Sequence, residues 1–333
     1  MITRIAIGLD GSQLSEKALP FVSQLAKSLK AKVLLLQICL WPEDYNGDIY
    51  KDQESGILPL DYLKKVKAEL TDPQKSYGLS PDDVEVKVAY RKSTYELGDL
   101  ARSEGADLLV MTTHGRSGLS LLVMGSIATG VLKHTTMPVF MIQPDVKTSE
   151  ANPPQATPAF SQAPVMVTLD GSVAAEASLV PAAQLSSQLN VPLYLVQVVT
   201  PLSPVVIATM SMGYGYAAYD EEKEIRNLRD EAATYLKQVK GNLHASYPLL
   251  QVEGVVLVGD PATEITEYSR KLHPMCLAMA THARSELGQF FLGSVAEQVV
   301  RDTHLPVFLT RIPKGYQGFR RSAADGKTPV TTH

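Results

Sequence analysis

The tetrapeptide Leu9-Asp10-Gly11-Ser12 occurs a second time as Leu169-Asp170-Gly171-Ser172, and this repeat constrains the chain more than any other feature. The offset of 160 still holds where Gln37-Ile38 matches Gln197-Val198. It becomes 168 at His114 and His282, at Gly125-Ser126 and Gly293-Ser294, and at Pro138-Val139-Phe140 and Pro306-Val307-Phe308. Two copies of one unit therefore follow each other. The second gains a net eight residues after Val198, and the Gly- and Tyr-rich stretch Met210–Tyr219 is the natural place for them. A chain of 333 residues has the length for two domains, each able to bury its own core. The expected division is residues 1–143, a proline-rich linker over 144–163, residues 164–312, and a polar tail over 313–333 that is expected to be disordered.

Within the first copy, short apolar runs alternate with helical periods. Arg4–Leu9 reads as a strand, and Ser12 as the N-cap of a helix with apolar residues at Leu14, Ala18, Val22, Leu25 and Leu29. The pattern then predicts a strand over Lys32–Leu40, a helix over Leu60–Leu70, a strand over Val84–Ala89 and a helix over Thr94–Glu104. A strand over Asp107–Thr112, a helix from Ser126 and a last strand over Val139–Ile142 follow. Alternating strands and helices, with several strands apolar throughout, indicate a parallel sheet covered on both faces. The expected fold class is α/β: two tandem, doubly wound, Rossmann-like domains, each with a five-stranded parallel sheet. Ligands of such sheets bind at the carboxyl ends of the strands, where the strand order reverses.

A net charge of −4 supplies no basic field for a polyanion, which argues against nucleic acid as the main partner. No charged residue occurs between Ala177 and Tyr219, but Pro192, Pro201, Pro204 and many polar residues interrupt the stretch. It does not supply the roughly 20 apolar residues of a membrane span. Cys39 and Cys276 each sit inside a run that reads as a buried strand, and the first residues lead into a strand without a signal-peptide pattern. Both features point to a cytoplasmic protein whose cysteines are small core residues.

The segment richest in chemistry is Thr112-Thr113-His114-Gly115-Arg116-Ser117-Gly118, followed by Leu119 to Met124 and then Gly125-Ser126. A strand ends, a glycine-bearing loop follows, and Gly125-Ser126 opens a helix. Free backbone N–H groups and the positive end of the helix dipole would meet a phosphate placed there, and Arg116 could add a charge-assisted contact.

This pattern resembles that of the universal stress protein family, whose ATP-binding members carry Gly, two residues, Gly, nine residues and then Gly-Ser or Gly-Thr after the fourth strand. Gly115, the nine residues Arg116–Met124 and Gly125-Ser126 fit it, while Thr112 replaces the first glycine. The resemblance covers both copies and implies the adenine nucleotide alpha hydrolase-like form of the fold. It also implies pairing of the two domains through their last strands, Val139–Ile142 and Val307–Thr310. The implied ligand is ATP or another adenine nucleotide, with Mg²⁺ or Mn²⁺ on its phosphates. Gly8, Leu9 and Asp10 would then lie by the adenosine, and Ile38 would offer its backbone to the adenine edge. Met111, Thr112 and His114 would line the ribose and phosphate path beside Gly115, Arg116 and Gly118, and Ile127 would follow the phosphate-binding Gly125-Ser126.

The second copy departs further. Its equivalent run is Ala280-Thr281-His282-Ala283, then Arg284–Leu292, then Gly293-Ser294, so both early glycine positions hold alanine, and Glu286 stands where the first copy has Gly118. A Cβ is costly where the backbone needs φ > 0 or close approach, and Glu286 opposes the dipole of the following helix. Asp170, Val198, Gly259, His282, Arg284, Gly293 and Ser294 therefore make a second, weaker candidate site. This copy keeps Gly259-Asp260-Pro261, a turn common after the family's third strand, where the first has Arg91-Lys92-Ser93. Those two cations serve either a phosphate tail or acidic partner, or simply a solvated loop.

Plainer roles compete at several positions. Asp10 and Asp170 each end a strand just before a helix, where a carboxylate also acts as a cap. His114 and His282 suit a loop-fixing hydrogen bond as well as acid-base work. Gly326-Lys327-Thr328 lacks the earlier glycine and the strand–helix setting of a phosphate loop, and Gly213-Tyr214-Gly215-Tyr216-Ala217-Ala218 is not between a first strand and helix. The histidines show no zinc spacing. Met210, Met212, Tyr214, Tyr216 and Tyr219 form a lid, a partner surface or a self-packed loop. The expected function is that of a nucleotide-binding stress or signalling protein, binding mainly in the first copy, with a possible homodimer and an unidentified protein partner. The rivals are a slow ATPase or phosphotransfer enzyme, for which no base or Walker lysine is found, and an interaction module that has lost its nucleotide.

Overall fold

The computed structural model describes residues 1–40, 58–75, 77–113, 124–143, 163–203, 206, 209, 220–281, 293–313 and 315–319. The first copy runs β1 (Arg4–Gly8), α1 (Gln13–Glu16), α2 (Leu19–Leu29), β2 (Lys32–Leu40), α3 (Pro59–Thr71), β3 (Val84–Arg91), α4 (Leu97–Ser103), β4 (Leu108–Thr112), α5 (Ser126–His134) and β5 (Val139–Ile142). The second runs β6 (Val165–Leu169), α6 (Leu179–Leu189), β7 (Leu193–Val199), α7 (Glu221–Ser246), β8 (Val252–Val258), α8 (Pro261–Leu272), β9 (Cys276–Thr281), α9 (Ser294–Thr303) and β10 (Val307–Arg311).

All ten strands join one sheet, in the order β3-β2-β1-β4-β5-β10-β9-β6-β7-β8. Every neighbouring pair is parallel except β5 and β10, which run antiparallel with Phe308 opposite Phe140. The expected pairing through the last strands is thus present, and each copy keeps its five parallel strands. Alternate residues along each strand face opposite layers. One face carries Ile5, Ile7, Val33, Leu35, Phe140 and Phe308 against α2, α3, α6 and α7. The other carries Ala6, Leu34, Leu36, Leu109, Met111 and Leu309 against α4, α5, α8 and α9. The Phe140 and Phe308 rings meet at 4.8 Å between centroids, and Phe21 closes edge-on over Phe140 at 5.0 Å. Polar bonds flank this aromatic contact. Gln143 Nε2 donates to the Val300 carbonyl at 2.6 Å, and Gln188 accepts from the Ile2 N–H at 2.7 Å.

Three local features differ from the sequence expectation. The single helix predicted after Ser12 is broken into α1 and α2, although Ser12 does accept from the Ser15 N–H at 3.2 Å as a cap. Pro20 is the cause, because its ring would collide with the carbonyl of Glu16 in a continuous helix. The eight-residue gain does not sit mainly in a loop: α7 has 26 residues where α3 has 13. Finally, residues 315–319 of the supposed polar tail pack onto the second copy. Phe319 is 1% exposed within the α2/α6 layer, and its N–H donates to Glu176 Oε2 at 2.7 Å.

Gly318 makes that turn possible, with φ +97 and the position of an added Cβ only 3.0 Å from Glu176 Oε2. Replacing Gly318 by alanine is expected to cost about 1–2 kcal/mol, from backbone strain at positive φ. An unchanged urea midpoint would show that 315–319 contributes nothing to stability.

Candidate functional site

In the first copy the strand order reverses between β1 and β4, and the carboxyl ends of the strands open there into a cleft of about 380 Å³. This is within the range of small-ligand sites. Its walls come from four places. Gly8, Leu9 and Asp10 follow β1; Gln37, Ile38, Cys39 and Leu40 end β2; Thr112 and Thr113 end β4; and Gly125, Ser126, Ile127 and Ala128 begin α5. Ser15, Thr94 and Leu97 complete it.

Short bonds fix these segments. The Leu9 N–H donates to the Leu36 carbonyl at 2.8 Å, the Gly125 N–H to Thr113 O at 2.7 Å, and the Thr113 N–H to Ile142 O at 2.9 Å. They hold the start of α5 against the ends of β4 and β5. The N-cap of α5 is Gly125, and among the described residues no side chain caps it, so its first N–H groups and the positive end of its dipole are available at the cleft mouth. Asp10 Oδ1 accepts from the Ser12 N–H at 2.9 Å and the Ser12 hydroxyl at 2.6 Å. The carboxylate therefore stabilises the turn before α1 while its residue lines the cleft, so the capping role and a ligand role are compatible.

Eight residues named from sequence come together here: Gly8, Leu9, Asp10, Ile38, Thr112, Gly125, Ser126 and Ile127. Met111 does not join them. It is 6% exposed in the layer beneath α4 and α5, because neighbours along a strand point to opposite faces and Thr112 takes the cleft side. His114, Gly115, Arg116 and Gly118 lie outside the described residues, as do His282, Arg284 and Met210–Tyr219. Arg91, offered above as a cation for phosphate, pairs with Glu96 at 3.6 Å. Sequence reasoning passed over Gln37, the one polar residue in the run Leu34–Cys39, and Cys39, treated there as core alone. The polar interruption of an apolar strand was the available signal.

In the second copy, Asp170 Oδ1 likewise accepts from the Ser172 N–H at 2.9 Å. Gly293 precedes α9 at φ +89, unlike Gly125 at φ −67. Asp260 caps α8, accepting from the Thr263 N–H at 3.0 Å and its hydroxyl at 2.7 Å, and these bonds hold its carboxyl below the usual range. Gly259-Asp260-Pro261 thus acts as a turn and helix cap. Val198 packs on the α8/α9 layer. Burial pushes the Cys276 thiol far up, which leaves it inert. Among the described residues no three His, Cys, Asp or Glu side chains gather as a metal-binding group, and no helix is long and apolar enough to cross a membrane.

The profile of the universal stress protein family matches residues 1–143 and again 163–311. The chain belongs to the universal stress protein family. Its tandem build is found in other universal stress proteins. One from Mycobacterium tuberculosis is 22% identical over 323 residues, covering 93% of this chain and 95% of that protein. The crystal structure of a universal stress protein from Pseudomonas aeruginosa superposes with a TM-score of 0.55 at 16% identity, covering 97% of this chain and 98% of the other. One from Archaeoglobus fulgidus gives 0.55 at 18% identity, covering 92% and 98%. At such identities the structural likeness speaks for the fold alone.

Proposed function

We propose that this universal stress protein binds an adenine nucleotide, ATP or a relative, in the cleft of its first copy. On this reading, occupancy shifts the population of a conformation that a protein partner recognises. One observation carries it: the start of α5, whose N-cap is the glycine Gly125, opens into the same cleft that Asp10 and Ile38 line. Phosphate, ribose and base would each meet the group suited to it: N–H donors, a carboxylate and a backbone edge. Asp10 is the only carboxylate among the described lining residues and already accepts two bonds from Ser12. Mg²⁺ or Mn²⁺ would therefore arrive on the nucleotide's own phosphates, with Asp10 as its nearest acidic neighbour from the chain.

Mass spectrometry of the small molecules released from the purified protein, followed by calorimetry with ATP, ADP and AMP, tests the proposal. One adenine nucleotide bound per chain is the expected result, and absence of binding by all three would end it. Cys39 offers a further readout: both cysteines are buried, but Cys39 is 4% exposed and its residue lines the cleft, whereas Cys276 is 0% exposed within the sheet. Nucleotide is expected to slow alkylation of Cys39 severalfold and to leave Cys276 unreactive throughout. Equal Cys39 labelling with and without saturating nucleotide would mean that the ligand sits elsewhere.

A further inference from the structure

Two glutamines interrupt the apolar runs of β2 and β7, and the first opens on the cleft of the first copy. Gln37 stands on the face of β2 that carries Val33 and Leu35. It is only 5% exposed, and its Oε1 is buried without a hydrogen-bond partner. What little of the residue stays open belongs to the cleft wall. With the oxygen sealed in, the end of the amide that can meet a ligand is Nε2, a donor with no partner among the described residues. The second copy repeats the arrangement. Gln197 Oε1 is also buried and unpaired, and Gln197 Nε2 lies 3.5 Å from where a Cβ on Gly171 would stand, in the turn after β6. A buried amide left half satisfied destabilises a sheet relative to an apolar residue of equal length, so its presence calls for a use.

Position decides what Gln37 can meet. The parallel register sets Gly8 beside Leu36, and in the second copy Leu169 beside Gln197, so Gln37 is level with Leu9 and next to the Asp10 turn. The cleft has two sides. On one, Ile38 and Leu97 pack with the α4/α5 layer and α5 begins. On the other stand Asp10, Ser15 and Gln37. Ser15 is engaged already: its hydroxyl donates to the Ser12 carbonyl at 2.8 Å and accepts from the Asp10 N–H at 3.4 Å. The Asp10 carboxylate only accepts, and Gln37 Nε2 only donates. A ligand group between them must therefore both give a proton and take one. Hydroxyls do this, and two on adjacent carbons can serve both partners at once.

We propose that Gln37 is the sugar-selecting residue of the cleft: its Nε2 donates to a ribose hydroxyl of the bound nucleotide, and the ribose gives a hydroxyl proton to Asp10. This assignment rests on the nucleotide reading above and adds to it a preference for ribonucleotides over nucleotides whose sugar lacks hydroxyls. A site built to bond a hydroxyl rejects the analogue without one, because its own buried donor is then left unpaired.

Calorimetry of the full-length protein with ATP and with 2′,3′-dideoxyATP, wild type against Gln37→Met, provides the test. Methionine matches glutamine in length and brings no donor. The wild type is expected to bind ATP at least about tenfold more tightly than the dideoxy nucleotide. In Gln37→Met the ATP affinity is expected to fall about tenfold while the dideoxy affinity stays within about twofold, so the ratio of the two shrinks. The variant is also expected to melt no earlier than the wild type, since the sealed Oε1 is gone. A merely supporting role would instead lower the melting temperature and both affinities together, leaving the ratio as it was. Gln37→Glu keeps the shape and sets an acceptor in place of the donor, so it is expected to shrink the ratio too and serves if Gln37→Met does not fold. Equal binding of the two nucleotides by the wild type, or an unchanged ratio in the variant, would overturn the sugar assignment and leave nucleotide binding standing. No ATP bound by the wild type would end the nucleotide reading and this assignment with it.

Discussion

Lysine at both Phe140 and Phe308 is expected to open the seam between the copies. The two rings are 0% and 1% exposed, stand opposite each other in the β5–β10 register and lie 4.8 Å apart. Losing each ring costs about 3–5 kcal/mol. Two ammonium groups buried side by side add desolvation and mutual repulsion. The sum is comparable to the whole stability of a typical domain, about 5–15 kcal/mol, so one antiparallel pairing cannot absorb it. Hydrogen exchange should show protection lost over Val139–Ile142 and Val307–Arg311 but retained in β2, which β1 and β4 separate from β5 in the order. Unchanged protection in β5 and β10 would refute the pairing. Should the double variant fail to fold, Phe140→Ala alone is expected to raise exchange in β5 and β10 before it does so in β2.

Valine at Gly125 and at Gly293 is expected to separate binding from stability. Gly125 sits at φ −67 and ψ 162, a conformation any residue adopts, so the glycine there is not needed by the backbone. It lines the cleft at the start of α5, and a β-branched side chain would occupy the space where a phosphate approaches the first N–H groups. Nucleotide affinity is expected to fall at least roughly hundredfold, equivalent to about 2.7 kcal/mol, with the melting temperature nearly unchanged. Gly293 has φ +89, where a β-branched residue is strained by about 1–3 kcal/mol. That variant should melt earlier and still bind nucleotide in the first copy. Calorimetry and thermal denaturation on the two full-length variants decide the matter. If Gly293→Val abolished binding and Gly125→Val did not, the second copy would hold the site.

Much of the fold is legible in the sequence, for reasons that can be named. The duplicated Leu-Asp-Gly-Ser and Pro-Val-Phe segments mark strand ends that recur in space as β1 with β6 and β5 with β10. Buried parallel strands write themselves as unbroken apolar runs, which is why β2 and β5 fall where the sequence predicts them. What escaped was of another kind. The break before α2 came from a proline lying inside a pattern that otherwise keeps its helical period. The length of α7 was hidden because, in Glu221–Ser246, only Ala232, Tyr235, Leu236, Val239 and Leu243 are buried. Phe319 stood alone among polar residues, and a single apolar side chain has no period to read. At the site, eight of the residues named from sequence line the cleft, while Met111 faces the α4/α5 layer because neighbours along β4 alternate between the two faces.

The antiparallel seam also has a consequence for mass action. Association of two separate chains through their last strands depends on concentration and weakens on dilution, whereas here β5 and β10 belong to one polypeptide and their encounter is intramolecular. The covalent connection between the copies fixes the local concentration at which they meet, and it is the same whatever the abundance of the protein. The paired state is therefore as complete at a few molecules as at many, and substitutions that alter one end of the seam, such as Arg311 where its counterpart in the first copy is Gln143, need no matching change at the other.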